Sequence, residues 1–165
     1  MVEGDAELAD LYRDVLLDYY RSRARKGALP DPDFRGHGVN PVCGDEVEVT
    51  VTRRGGVLEH IRYDGHGCVI SQASAALMAE ALEGQTPQGA QGLVDAFRGM
   101  LVRNTPAEAL PEVLGEAKAM EGVRKFPARV KCALLAWNTI QLGLKEGSGK
   151  AADPRISAPR RRPPD

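Results

Sequence analysis

Three cysteines and one aspartate carry the chemistry open to this 165-residue chain. Cys43 lies in Pro41-Val42-Cys43-Gly44-Asp45, Cys68 follows Gly65-His66-Gly67, and Cys132 falls early in a run of helical periodicity. Gly44 allows a turn that a residue with a Cβ would resist, so the Cys43 thiolate and the Asp45 carboxylate can reach one centre. Three thiols and one carboxylate make a closed tetrahedral set for Zn2+, which accepts sulfur and oxygen ligands. A carboxylate is harder than a thiolate, so such a centre rearranges more readily than an all-thiolate one. Against this stand plainer readings: a free cysteine is most often a small buried hydrophobe, and Asp45 can be a solvated residue that opens a strand. His66, two residues before Cys68, is a spare candidate ligand; His37 and His60 read as surface histidines.

Helical geometry separates Cys132 from the core. Val130, Ala133, Leu134, Trp137, Ile140 and Leu144 form one apolar stripe, and at 3.6 residues per turn Cys132 lies roughly 130° from its centre. Arg129, three residues earlier, is its neighbour on one flank, where a guanidinium stabilises a thiolate or a negatively charged metal cluster. Cys68 falls at a helix entrance, whose unpaired N–H groups also favour a thiolate.

The elements that must position these groups follow from periodicity. Leu8, Leu11, Tyr12, Val15, Leu16 and Tyr19 predict an amphipathic helix from Asp5 to Arg23, followed by a basic cluster of Arg21, Arg23, Arg25 and Lys26. Leu29 to Pro41, rich in glycine and proline, reads as an irregular loop that delivers the chain to Cys43. Strict alternation from Glu46 to Arg53, a Gly55-Gly56 turn and a second run from Val57 to Asp64 predict an antiparallel hairpin. A third short strand is expected near Gly67-Cys68-Val69-Ile70. Helices are expected from Ala73 to Ala81, ended by Gly84, and from Thr86-Pro87 to Leu101 with threonine as the cap. Thr105-Pro106-Ala107-Glu108 has capping-box spacing, and the stretch to Gly122 reads as short helices in a mobile region. A last helix runs from Pro127 to Lys145. Residues 149–165, with five basic and two acidic side chains and four prolines, read as a disordered tail.

Composition narrows the function classes. A hydrophobic content of 42% suits one domain with its own core. Twenty-two Lys+Arg against 23 Asp+Glu, and a pI near 6.3, supply no overall field to attract phosphate backbones. Aromatic residues at 5% offer few stacking platforms for single strands, so no nucleic-acid partner is expected. No apolar run approaches the roughly 20 residues that span a bilayer, so no membrane is expected either. The acidic opening Met1-Val2-Glu3-Gly4-Asp5 is unlike a signal peptide, which places the chain in the cytoplasm. An odd number of cysteines in that reducing compartment argues for metal or thiol chemistry over disulfides.

Three segments in one order then resemble a known family. Asn40-Pro41-Val42-Cys43-Gly44-Asp45, Gly65-His66-Gly67-Cys68-Val69-Ile70-Ser71-Gln72-Ala73-Ser74 and Phe126-Pro127-Ala128-Arg129-Val130-Lys131-Cys132-Ala133-Leu134-Leu135-Ala136-Trp137 together resemble the IscU/NifU N-terminal superfamily, specifically its SufU branch. The opening Leu11 to Tyr20 is similar as well, and the resemblance extends from Leu8 to Leu144. It implies an α+β, SufE/IscU-like fold, a small antiparallel sheet packed against several helices, occupying residues 1–148 ahead of the tail. It implies a role in iron–sulfur cluster assembly, with Cys43, Asp45, Cys68 and Cys132 as zinc ligands. Lys131 stands where IscU-like scaffolds place a histidine, and the longer Cys68–Cys132 segment matches the SufU insertion. SufU-like members look like zinc-dependent acceptors that take sulfur from a pyridoxal-phosphate cysteine desulfurase (SufS-like) and pass it to a scaffold, a SufB-containing complex. Cys43 would be the nucleophile, freed when a partner histidine replaces it on the metal, with Arg129 balancing charge or contacting the partner. Two other readings stay open: a scaffold that holds iron or a transient [2Fe–2S] cluster on the same ligands, and a purely structural zinc domain. The chain departs from the family pattern at Asp18-Tyr19-Tyr20, where histidine often follows the aspartate, and in its basic run to Lys26, which lacks the usual Pro-Arg-Asn grouping.

Overall fold

Val47, Val49 and Val51 point to one side of a strand and are buried there, which makes β2 (Asp45–Arg54) the centre of the sheet. In the computed structural model, which describes residues 13–146, β2 pairs antiparallel with β1 (Phe34–Asn40) and with β3 (Val57–His66). The order is β1-β2-β3. The hairpin between β2 and β3 turns at Gly55 and Gly56, whose φ values of +65° and +85° suit the glycine-favouring turn that matches strand twist. Helix 13–21 is α1; α2 (Val69–Leu82), α3 (Pro87–Val102) and α4 (Pro127–Glu146) follow the sheet. The α+β expectation is met. The predicted part of α1 before residue 13, and the predicted tail with its boundary at 148, lie outside the described residues.

Helices α2 and α4 cover the valine face of the sheet, and α3 packs behind α4. Phe97 of α3 stacks on Trp137 of α4 with ring centroids 3.9 Å apart. Trp137 Nε1 donates to Ser74 Oγ at 2.9 Å, and Ser74 Oγ donates to the Ala133 carbonyl at 2.6 Å, so the buried polar atoms joining α2 to α4 are satisfied. The predicted cap of α3 forms: Thr86 Oγ1 accepts from the Gly89 N–H at 2.9 Å, with proline in the first turn.

Four expectations need correction. The stretch before Cys43 is not an irregular loop throughout, because residues 34–40 form strand β1. Its glycines make room for neighbours: a Cβ on Gly36 would meet the Phe34 ring of the same strand at 2.6 Å and Thr139 Cγ2 of α4 at 3.1 Å, and one on Gly38 would drive into Thr139 Oγ1. No third strand forms at Gly67–Ile70; Cys68 is the extended N-cap residue of α2, and Val69 begins the helix. The capping box at Thr105 is not made: Pro106 precedes the short 3-10 turn, the Thr105 N–H donates to the Gly99 carbonyl at 3.2 Å, and Glu121 Oε2 accepts from the Ala107 N–H at 2.9 Å. The region that follows, Glu112–Lys125, is a 3-10 segment broken at Gly115, yet it is packed through the buried Leu114, Ala117, Met120 and Val123. Among the described residues no helix is long and apolar enough to cross a membrane.

Candidate metal centre

The sheet ends where its polar residues meet the first turns of two helices. Residues 41–44 turn the chain from β1 into β2, closed by the Gly44 N–H donating to the Asn40 carbonyl at 2.9 Å, and Gly44 takes φ +75°. Cys43 sits in that turn, partly exposed. Asp45 is the first residue of β2, opposite Asn40, and is wholly buried. Cys68 is partly exposed at the N-cap of α2, and Cys132 is buried in the second turn of α4.

These elements bring the predicted ligands together. One ligand atom from each of Cys43, Asp45 and Cys132 lies within 4.8 Å of the others, the one such group among the described residues. Cys132 Sγ is 3.3 Å from Cys43 Sγ, and both are free thiols. A disulfide would hold the sulfurs about 2.05 Å apart, whereas two thiolates on a tetrahedral zinc with Zn–S near 2.3 Å stand about 3.8 Å apart. The observed spacing is too long for a disulfide and shorter than a tetrahedral zinc would set, so the two thiols are in direct contact and would part by about 0.5 Å to share a metal. Cys68 falls outside that group of three, but its thiol is within hydrogen-bonding reach of Cys132 and its N–H donates to Asp45 Oδ1 at 2.9 Å. Cys68 thus lies beside the three grouped residues without being one of them.

The electrostatics fit a cation. Burial pushes the Cys132 thiol pKa well up, and hydrogen bonds with Asp45, Cys43 and Cys68 add to the rise. A donor set so crowded with acids needs positive charge to hold thiolates. Burial also works against the Asp45 carboxylate, but hydrogen bonds from Cys132, the Cys68 N–H, Ser71 and Asn40 outweigh it and keep its pKa below the ordinary range. Arg129, exposed, hydrogen-bonds Cys132 and feels Cys68 and Cys43 as well, so its pKa is held above normal and it stays a fixed cation over the sulfurs. The flank position predicted for Arg129 is where the structure puts it. As helical periodicity predicts, Cys132 is not part of the apolar core cluster; it is nevertheless 0% exposed, because the β1–β2 end closes over that flank of the helix.

His66 is not drawn into the centre; its Nε2 pairs with Glu46 Oε1 at 3.3 Å, and His37 Nε2 pairs with the other oxygen of Glu46. Two contributors were missed from the sequence. Asn40, 7% exposed, directs Nδ2 to Asp45 Oδ2 at 3.4 Å and to Cys132 Sγ at 3.6 Å, and Ser71 bonds Asp45 from α2. Both lie inside the segments that carried the resemblance, but only register and helix phase assign them a task.

Comparison with known proteins agrees with this geometry. The family model of the NifU-like N terminal domain matches residues 11–151. The chain is 35% identical over 145 residues to the zinc-dependent sulfurtransferase SufU of Bacillus subtilis, covering 88% of this chain and 97% of that protein. It is also 35% identical over 137 residues to the iron–sulfur cluster assembly scaffold protein IscU of Thermotoga maritima, covering 82% of this chain and 94% of the other. Among solved structures, the N-terminal part of a nitrogen-fixing NifU-like protein from Brucella abortus superposes with a TM-score of 0.76 at 29% identity, over 86% of this chain and 97% of that one.

Proposed function

The chain belongs to the family of the NifU-like N terminal domain, and from that membership and the thiol centre we propose that it is an iron–sulfur cluster assembly protein working as a zinc-dependent sulfur acceptor in the cytoplasm. The SufU relative, named as a zinc-dependent sulfurtransferase, supports that reading. Zinc would be held by Cys43, Asp45, Cys68 and Cys132, and when bound it keeps thiols deprotonated at neutral pH. The donor is a persulfide on a pyridoxal-phosphate cysteine desulfurase, and the recipient is a cluster scaffold such as a SufB-containing complex.

One observation carries the assignment of roles: of the two thiols 3.3 Å apart, Cys43 is partly exposed on a glycine turn, while Cys132 is sealed in a helix. Cys43 can reach an incoming sulfur and Cys132 cannot. The Cys43 thiolate attacks the terminal sulfur of the donor persulfide; the donor S–S bond breaks, its cysteine leaves as a thiolate, and a new S–S bond on Cys43 carries the transferred sulfur. No oxidant or reductant is consumed. Arg129 faces the incoming anionic persulfide and the departing thiolate, which a guanidinium stabilises in either position.

A second reading, a scaffold that builds a [2Fe–2S] cluster or binds iron on the same ligands, draws on the equal identity to the IscU relative. Incubation with a cysteine desulfurase and free cysteine, followed by intact mass, metal analysis and visible absorption, separates the two. A gain of one sulfur at Cys43 with zinc retained supports transfer. Iron with visible charge-transfer bands supports the scaffold, and no change under turnover leaves a structural zinc domain.

A further inference from the structure

A line of hydrogen bonds leads from the surface to the carboxylate of the centre. Lys26 Nζ donates to Gln72 Oε1 at 3.1 Å, and Gln72 Nε2 donates to Ser71 Oγ at 3.4 Å. The Ser71 hydroxyl donates to the Cys68 carbonyl at 3.2 Å and is also within reach of the Asp45 carboxylate, beside which it lies. Ser71 and Gln72 are 3% and 4% exposed and Asp45 is 0% exposed, so water does not compete along the way. The donors run from ammonium to amide to hydroxyl, and the one hydroxyl proton is shared between the Cys68 carbonyl and the Asp45 carboxylate, so the line ends on the backbone of one candidate ligand and the side chain of another. Gly67 shows how closely the inner end is packed: a single point, its absent Cβ, lies 2.5 Å from Asp45 Oδ1 and 2.6 Å from Ser71 Oγ.

The outer end is anchored as well. The Gly27 N–H donates to the Tyr63 carbonyl at 2.7 Å and the Tyr63 N–H donates to the Arg25 carbonyl at 3.1 Å, which ties residues 25–27 to the free edge of β3. The Lys26 ammonium lies 5.2 Å over the Tyr63 ring. A charged side chain on the arm after α1 is thus fixed against the sheet and aimed, through two buried side chains, at a candidate ligand.

We infer that Lys26, Gln72 and Ser71 are positioning residues that hold the Asp45 carboxylate in its metal-facing orientation, so that the arm after α1 sets the affinity of the centre for zinc. This rests on the zinc reading of the centre, and the experiment tells the two apart. Zinc affinity is measured by competition with a chromophoric chelator, and the ligand field by the visible spectrum of the cobalt-substituted protein, in wild type, Asp45→Ala, Ser71→Ala, Lys26→Met and the double variant Lys26→Met/Ser71→Ala. Loss of partners that orient a ligand weakens metal binding by about 10- to 100-fold, and Ser71→Ala should fall in that range, with Lys26→Met weakened less. The double variant should bind no more weakly than Ser71→Ala alone, because both act through one carboxylate. The cobalt bands of Ser71→Ala should shift toward those of Asp45→Ala; a merely structural role would lower the melting temperature and leave the bands in place. Lys26 is only partly buried, so its variant tests the line even if Ser71→Ala fails to fold. Wild-type affinity and spectrum in Lys26→Met and in any folded Ser71→Ala protein, beside weak binding by Asp45→Ala, would overturn the positioning line and leave the zinc centre standing. Equal zinc binding by wild type and Asp45→Ala would overturn both.

Discussion

Replacement of Gly67 by alanine tests the tightest point of the centre. The added Cβ would lie 2.5 Å from Asp45 Oδ1, 2.6 Å from Ser71 Oγ and 3.1 Å from Asp45 Cα. Carbon–oxygen contacts in proteins begin near about 3.3 Å, so the carboxylate would have to retreat by about 0.8 Å. Asp45 cannot do so freely, because its Cα is held by strand pairing to Asn40 and the next residue, Glu46, pairs with His66. Overpacking costs about 1–3 kcal/mol, and the Gly67 φ of +155° adds a backbone cost of about 1–3 kcal/mol for a residue with a side chain. Against a typical stability of about 5–15 kcal/mol, and about 2–4 °C per kcal/mol for a domain of this size, the melting temperature should fall by roughly 5–20 °C. Gly84→Ala is the control: φ is +90° but nothing lies within 4 Å of its Cβ, so it carries the backbone cost alone. Thermal melts of chelated protein give the stability term, and zinc competition gives the site term, expected to weaken at least about tenfold in Gly67→Ala only. If Gly67→Ala melts no lower than Gly84→Ala and binds zinc as wild type does, the packing of Asp45 beneath Gly67 is not what shapes the centre.

Other consequences are as direct. Cys43→Ser should stay folded, since the turn is partly exposed, and should fail to gain sulfur in intact-mass measurements with a desulfurase, whereas a retained gain would move the nucleophile elsewhere. Gly38→Ala should destabilise by about 1–3 kcal/mol in denaturant titration, and Thr139→Ala in the same chain should recover most of the loss, because Thr139 Oγ1 is what the new Cβ would strike. Glu83 accepts from Arg25, Arg62 and the Ile61 N–H; burial works against its charge, but these bonds hold its pKa below 4.5. Because the folded value is the lower one, its stabilising contribution is complete above pH 4.5 and is lost as pH falls below that, so melting temperatures of metal-free wild type and Glu83→Gln should converge in acid.

The hairpin was legible because β2 alternates valine with polar residues, and a period of two has no other physical meaning over that length. Strand β1 was not. Its inward positions are Phe34, Gly36, Gly38 and Asn40; Gly38 is there because α4 presses on it, a demand set by a helix about a hundred residues later, and Gly36 makes room for the Phe34 ring as well as for α4. Val69 and Ile70 looked like strand because they are β-branched, yet Cys68 is only the extended cap of a helix whose stability comes from packing. At Thr105 local spacing suggested a capping partner in Glu108, but the Thr105 N–H donates to the Gly99 carbonyl, and Glu121, from across the segment, accepts from the Ala107 N–H.

The centre shows the same division between local and distant causes. Residue type and order suffice to nominate Cys43, Asp45, Cys68 and Cys132, since few side chains bind a soft divalent ion. Their convergence depends on strand register, which sets Asn40 opposite Asp45, and on α2 and α4 opening at the same end of the sheet. The helical stripe set Cys132 apart from the core but could not show that it is buried, since α4 is covered by α2, α3 and β1 together. That second cover is what distinguishes the thiols: it buries Cys132 and leaves Cys43 on a turn. Two cysteines of like chemistry thereby acquire unlike tasks, one anchored and one able to move, and the difference arises from the burial of the chain around them.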